Sequence, residues 1–280
     1  MKKTLSLFLI LVCLFLFTSC KKNEDASATL ATSSTTGTTE SLTVTVTFPE
    51  GFTVKEIADL LQKNSVCTAA DFVRISNDIT TLKTLGYSFI NGITETEKRP
   101  FVLEGYIFPD TYEFYKGEGA LAALCRFLDN TELKLTDDYK LKAQQLGYTM
   151  DEVLALASII QEESSEHKYM ADVSSVLHNR LNDPYGKLEC DVAIHYIRNT
   201  VETSTEITYD SETVWQSYDI YDNPGLPLGP ICNPGTHAIE AALAPSETDY
   251  FFFVTDSDWN YYFSETYDEH LDKCEELGLY

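Results

Sequence analysis

The sequence predicts an α+β protein built from a small leading module and a larger, mainly helical domain. Three patterns carry that prediction. Leu42, Val44, Val46 and Phe48 alternate with Thr43, Thr45 and Thr47, the period-two signature of a half-buried strand. Between Leu121 and Leu181 several stretches repeat apolar residues at helical spacing. Near the C-terminus two aromatic runs flank a DSDWN turn, as in a β-hairpin. With 280 residues and 44% hydrophobic content, the chain can bury roughly two small domains. The expected boundaries are 42–100 for the module and 101–280 for the larger domain.

In order along the chain, the Pro49-Glu50-Gly51 turn follows the first strand. Thr53 and Glu56 then form a capping box ahead of Val54, Ile57, Ala58 and Leu61, one apolar face of a short helix. Phe101 to Tyr115 is densely aromatic and contains Pro109, which predicts an irregular strand and loop. Helices are expected over Leu121 to Leu128, over Asp138 to Leu146, and after a capping box at Thr149 and Glu152. Another is expected beyond Ser165, carrying Met170, Val173, Val176 or Leu177, and Leu181. A Gly/Pro-rich loop spans Asn223 to Gly235, followed by a helix around Ala238 to Leu243. The hairpin pairs Phe251–Thr255 with Tyr261–Phe263, and Thr266 with Glu269 opens a closing helix.

The N-terminus reads differently. Lys2 and Lys3 precede an apolar run from Leu5 to Phe17, which matches a secretory signal and, at about 13 residues, is short for a membrane span. Phe17-Thr18-Ser19-Cys20 resembles a bacterial lipobox with Phe in place of the usual Leu, so Cys20 is the expected lipidation site; an uncleaved signal anchor is the alternative. Residues 21–41, rich in Ser, Thr and Ala, read as a flexible tether. The formal charge of −24, with 20 Lys and Arg against 44 Asp and Glu, excludes a phosphate-neutralising surface and hence nucleic acid as a partner. Losing residues 1–19 removes Lys2 and Lys3 and makes the chain more acidic still, so an anionic leaflet repels it and attachment requires a covalent anchor. Beyond Cys13 and Cys20, five cysteines remain with no CxxC pair, which predicts buried thiols with at most one disulfide.

A helical wheel over the stretch after Thr149 singles out one acid. Val153, Leu156, Ala157 and Ile160 fall on one face, and Glu163 lies at about 280° from Val153, beside Leu156 at about 300°, whereas Glu162 lies at about 180°. A carboxyl flanked by apolar side chains at a helix C-terminus has its pKa raised by desolvation and by the negative helix end, which suits it to donate a proton at neutral pH. The plain alternative is an acid emerging at the last turn or paired with Arg180.

LEGYIFPDTYEF (Leu103 to Phe114), LASIIQEES (Leu156 to Ser164), VLHNRL (Val176 to Leu181), GLPLGPICNPG (Gly225 to Gly235), IEAALAP (Ile239 to Pro245) and DYFFFVTDSDWNYYFSETYDEH (Asp249 to His270) occur in this order. Together they resemble the YceG-like, MltG-type endolytic murein transglycosylases, from Val44 to His270. The resemblance implies a LysM-like leading module, beginning VTFPEGFTVKEIADLL, and a mixed α/β catalytic domain. It implies an enzyme that cuts nascent peptidoglycan glycan strands internally at N-acetylmuramic acid and leaves 1,6-anhydro ends. In that family the acid closing the LASIIQEES-type motif is the acid/base, which maps to Glu163. One such group suffices, since the attacking 6-hydroxyl belongs to the substrate.

The resemblance further implies that Glu104, Tyr112, Asn179, Asp191, Tyr196, Tyr218 and Asn233 line the substrate groove. Gly225, Pro227, Gly229 and Pro234 shape a loop. It implies no cofactor, a place on the extracytoplasmic face of the cell membrane, and cell-wall synthases as candidate partners. Departures are Asp191-Val192-Ala193 where the family usually reads Asp-Pro-Thr, Tyr218-Asp219-Ile220-Tyr221 where it reads Tyr-Asn-Thr-Tyr, and Leu228 in place of a proline. Two rival readings remain: a peptidoglycan-binding lipoprotein that keeps the fold without the activity, and a hydrolytic glycosidase with Asp191 or Glu104 as a second carboxylate. The five histidines form no HExxH-type pair, so no metal site is expected, and neither GxSxG nor a nucleotide-binding glycine loop occurs.

Overall fold

The computed structural model describes residues 42–164 and 166–279. The signal, Cys20 and the tether lie outside the described residues. Residues 41–280 group as one compact unit.

Strand β1 (Thr43–Thr47) pairs antiparallel with β2 (Thr111–Tyr115), placing Val46 opposite Tyr112 and Val44 opposite Phe114. The sheet therefore crosses the 100/101 boundary expected from sequence. Residues that looked like the start of the second domain supply the partner strand of the first. Rings from both sides of that boundary close the core: Phe48, Tyr112, Phe114 and Phe127 meet edge-on or tilted at 4.5–6.1 Å between centroids. Leu42, expected to point inward with Val44 and Val46, is exposed instead, since it lies one step before the strand.

Between these strands run α1 (Val54–Lys63), α2 (Ala69–Ser76), α3 (Ile79–Thr84) and a 3₁₀ turn at Ser88–Gly92. The capping box of α1 forms as read: Thr53 Oγ1 accepts from the Glu56 amide, and Glu56 accepts from the Thr53 amide. The aromatic stretch after Pro100 is a chain of turns up to Asp110 that leads into β2. Gly105 sits in it at φ +83°, and a Cβ there would come within 2.3 Å of the Pro230 ring, so only glycine admits the loop of residues 223–235 against this segment.

The larger part follows with α4 (Ala120–Lys134), α5 (Asp137–Leu146), α6 (Met150–Glu163), α7 (His167–Asn182), α8 (Val192–Tyr196), α9 (Ser211–Tyr218) and α10 (Thr236–Leu243). A hairpin of β3 (Phe252–Thr255) and β4 (Tyr261–Ser264) and the closing α11 (Tyr267–Glu276) complete it. The capping boxes of α6 and α11 are the predicted ones. Helix α4 extends six residues past its expected end at Leu128, because Phe127, Leu128 and Thr131 are all buried and Thr131 Oγ1 donates to the Tyr106 carbonyl.

Helix α6 is the axis of this part. The wheel predicted a single apolar face, yet every residue from Val153 to Ile160 is buried. Helices α5, α7, α8 and α10 surround it, so even its polar Ser158 is enclosed, donating to the Ala155 carbonyl and accepting from the Ile231 amide. Helices α7 and α10 are tied by Ser174 Oγ to the Ala241 carbonyl (2.7 Å) and by His178 Nε2 to the Ala242 carbonyl (3.0 Å). A carboxylate at the last residue of so enclosed a helix is held on a rigid support.

Candidate active site

Helix α6 ends at Glu163, where the Tyr261 hydroxyl donates to the Glu163 carbonyl at 2.7 Å and so binds one of the open carbonyls of the last turn. The Glu163 side chain opens into a cleft of about 330 Å³ lined also by Arg180 of α7, Glu189, Cys190, Asp191, Tyr221, Phe253 of β3 and His270 of α11. Burial pushes the Glu163 carboxyl up to about 7. A hydrogen bond from the Cys190 thiol and the charge of Arg180 pull it down, and the carboxylates of Asp191 and Glu162 push it up. Desolvation wins, so near neutrality the group is shared between its acid and its base form, as a residue that first gives and then takes a proton requires.

Arg180 is fixed by its backbone partners: Nε donates to the Phe251 carbonyl at 2.8 Å and Nη1 donates to the Leu188 carbonyl. It thus carries a positive charge in the cleft without forming an ion pair with Glu163. His270 stacks on Phe252 at 5.4 Å, and burial together with the Arg180 charge holds its imidazole below the usual range, which favours the neutral ring. The neighbouring Glu162 faces a different recess, of about 190 Å³, with Gly51, Thr53, Glu56, His195, Tyr196 and Cys232. Two adjacent acids therefore serve two openings, as the wheel separated them.

Of the seven residues expected to line the groove, only Asp191 shares the Glu163 cleft. Asn179 is half-buried and its Nδ2 donates to the carbonyls of Thr248 (2.8 Å) and Tyr250 (2.9 Å), which leaves no amide hydrogen for a sugar and instead fastens α7 to the chain entering β3. Tyr112 lies in the β1–β2 core and donates to the Phe108 carbonyl at 2.7 Å. Asn233 is buried with both amide hydrogens used, to the Phe52 carbonyl (2.8 Å) and Glu104 Oε1 (3.0 Å), while Oδ1 accepts from the Ile107 amide (2.8 Å).

Glu104 is also buried. Its Oε1 accepts from Asn233 and from the Val54 amide at the start of α1, so it links three segments. Burial raises its pKa to about 8 despite those donors. It is outside the Glu163 cleft, which removes it as a second carboxylate facing that residue. Tyr196 and Tyr218 are buried neighbours with centroids 5.7 Å apart; Tyr196 borders only the smaller recess. Six of the seven residues expected to line the groove thus lie outside the Glu163 cleft, and Glu104, Tyr112, Asn179 and Asn233 spend hydrogen bonds on packing within the fold.

Sequence reasoning did not select Arg180, Cys190, Tyr221, Phe253 or His270 as cleft residues. Four of them sit within motifs already quoted, Arg180 in VLHNRL, Tyr221 in Tyr218-Asp219-Ile220-Tyr221, and Phe253 and His270 in the last one, so the signal was present as position, with a role suggested only for Arg180 as a partner of Glu163. The five cysteines beyond Cys20 are all free.

The model of the YceG-like family matches residues 14–276. The chain is 29% identical over 251 residues to the endolytic murein transglycosylase of Bacillus subtilis, covering 88% of this chain and 67% of that protein. It is 26% identical over 248 residues to the endolytic murein transglycosylase of Streptococcus pneumoniae, covering 82% of this chain and 44% of that one, so it spans less than half the length of that relative. Among solved structures, a YceG-like protein of Listeria monocytogenes superposes with a TM-score of 0.70 at 28% identity, over 82% of this chain and 75% of that one. Motif order, fold and relatives agree: the chain belongs to the YceG-like family.

Proposed function

We propose that this protein is an endolytic peptidoglycan lytic transglycosylase in which Glu163 is the acid/base. The observation that carries the reading is one carboxyl, poised near neutrality at the end of a buried helix, opening into a cleft that also presents a fixed cation. In its protonated form Glu163 gives a proton to the glycosidic oxygen leaving the anomeric carbon of N-acetylmuramic acid. The resulting carboxylate takes the proton of that sugar's 6-hydroxyl as its oxygen bonds to the anomeric carbon. No water is consumed, and the product end is 1,6-anhydro. Arg180 and Asp191 are proposed to contact the substrate in the cleft, and Phe253 to offer it a ring face.

Digesting purified glycan strands and weighing the new ends tests this. Anhydro ends are expected. Ends heavier by one water would establish hydrolysis, a reading favoured only by Asp191 and Glu189 lying in the same cleft. Binding without any new ends would establish the non-catalytic wall-binding reading.

A pH profile follows from the raised pKa. The acid form of Glu163 in the free protein is lost as pH rises through about 7, so kcat/KM is expected to fall about tenfold per pH unit on the alkaline side. A kcat/KM that stays flat from pH 6 to 9 would remove Glu163 as the proton donor.

The leading part is proposed to be a LysM-like unit, supported by the order β1, α1, α2 and then the antiparallel partner β2. The N-terminus is proposed to place the enzyme on the extracytoplasmic face of the membrane through a lipid on Cys20. No helix among the described residues is long and apolar enough to cross a membrane. Cys20→Ser is expected to move the protein from the membrane to the soluble fraction; retention in the membrane would favour an uncleaved signal anchor.

A further inference from the structure

We propose that Glu50, His167 and His237 form a binding site for one divalent transition-metal ion of the zinc class. No pair of histidines in the sequence suggested this. The fold brings together the turn after β1, the first residue of α7 and the second residue of α10. One ligand atom from each of the three side chains lies within 4.8 Å of the other two, and His167 Nε2 is 3.6 Å from Glu50 Oε2. Ligands around a tetrahedral zinc ion, with bonds of about 2.0–2.2 Å, stand about 3.4 Å apart, so small rotations of three exposed side chains close the site. Two imidazole nitrogens and one carboxylate oxygen suit zinc or a similar ion, whereas calcium and magnesium prefer all-oxygen shells. The fourth position faces solvent.

The backbone at the site is shaped around Glu50. Its carboxylate lies so close to Gly235 that a Cβ there would stand 2.0 Å from the carboxyl group. The turn that carries it is pinned by the Gly51 amide to the Asn233 carbonyl (2.9 Å) and by the Asn233 amide to the Phe52 carbonyl (3.0 Å). The two imidazole rings are stacked at 3.9 Å between centroids with 21° between planes, and one nitrogen of each lies within 4.8 Å of the other and of a Glu50 carboxylate oxygen. Gly235 also donates its amide to Gln161 Oε1 at 3.0 Å, in the last turn of α6. An ion here therefore ties the β1 turn to the starts of α7 and α10, and Gly235 beside Glu50 reaches α6 at Gln161, two residues before Glu163. A carboxylate serving only to balance the uncapped N-terminus of α10 would need neither histidine.

The test uses the full chain without an affinity tag, stripped with a chelator and titrated with Zn²⁺ by calorimetry, and with Co²⁺ by visible absorption. One equivalent is expected to bind, to raise the melting temperature, and to give the intense bands of tetrahedral Co²⁺. His167→Ala and His237→Ala are each expected to weaken binding at least about tenfold, the low end of what loss of even an outer-shell partner costs. Glu50→Gln should also weaken it, while His195→Ala should not. Excess Mg²⁺ should not compete. Circular dichroism of the metal-free variants should match wild type, because all three side chains are exposed. Absence of binding by wild type would overturn the proposal, as would binding that the double variant His167→Ala/His237→Ala retains or that Mg²⁺ displaces.

Discussion

Glu163→Gln is expected to lower kcat by about 10²–10⁴-fold, the usual contribution of a positioned acid/base, while leaving strand binding close to wild type. The amide keeps the shape of the side chain at the end of α6 but neither protonates the leaving oxygen nor accepts the 6-hydroxyl proton. Counting anhydro ends by mass after timed digestion gives the rate, and a pull-down with intact strands gives the binding. A Gln variant as active as wild type would move catalysis to another group, and Asp191 in the same cleft would be the next candidate.

The same variant has a second signature that separates function from folding. The folded pKa of Glu163, about 7, stands above the ordinary 4.5, so between those values the folded chain holds more proton than the unfolded one. Stability from this group is therefore full below about pH 4.5 and declines as pH rises towards 7. Removing the ionisable group removes that penalty. Glu163→Gln is expected to be more stable than wild type at pH 8, on the order of 2 kcal/mol, and no more stable at pH 4. Urea unfolding at the two values measures it. A destabilising carboxyl kept at this position accords with the proposed acid/base role.

Asp151→Ala is expected to cost about 3–5 kcal/mol of stability. Arg99 and Asp151 form a bidentate ion pair with side chains 1% and 6% exposed. Asp151 also accepts from the Tyr106 hydroxyl at 2.6 Å and from Thr94 Oγ1 at 3.3 Å. Burial opposes the Arg99 charge, but its hydrogen bonds and attraction to Asp151 hold the guanidinium above its ordinary pKa. Alanine at 151 strands that charge in the interior together with the Tyr106 hydroxyl. The pair does more than balance itself: Arg99 also donates to the Leu228 carbonyl at 2.8 Å and lies against Gly229, where a Cβ would approach it to 2.7 Å. It thereby joins the segment before the EGYIF turns, the loop of residues 223–235 and the first turn of α6. Arg99→Met with Asp151→Leu is expected to recover much of the loss, because the buried charge goes with its partner. Urea midpoints of wild type, Arg99→Met, Asp151→Leu and the double variant complete the cycle, and a loss under about 1 kcal/mol in Asp151→Ala would show the pair to be dispensable.

How much of this was legible beforehand depends on range. The capping boxes at Thr53, Thr149 and Thr266 were read from residues three positions apart, and all three helices start where expected. The hairpin of β3 and β4 was found within a residue at each end. Helix α4 was read too short because its extra turns are stabilised by Tyr106, from a distant segment. That a sheet crosses the expected module boundary was hidden for the same kind of reason, since nothing local to Thr111–Tyr115 says that its partner is β1. Polar residues in motifs were read as groove-lining, while Asn179, Asn233 and Glu104 spend their hydrogen bonds on backbone and on one another.

By itself, then, the sequence determined the α+β class, most element positions, the order of the motifs and the separation of Glu163 from Glu162 onto different sides of α6. Each of these rests on spacing within one or two turns of chain, where backbone periodicity alone decides which side chains share a face. Tertiary structure decided that Arg180, Cys190 and His270 join Glu163, that burial lifts its pKa to about 7, and that Glu50 meets His167 and His237. Those are contacts between elements far apart in sequence. They depend on how whole helices pack and which groups lose water as they do, and no local pattern carries that information.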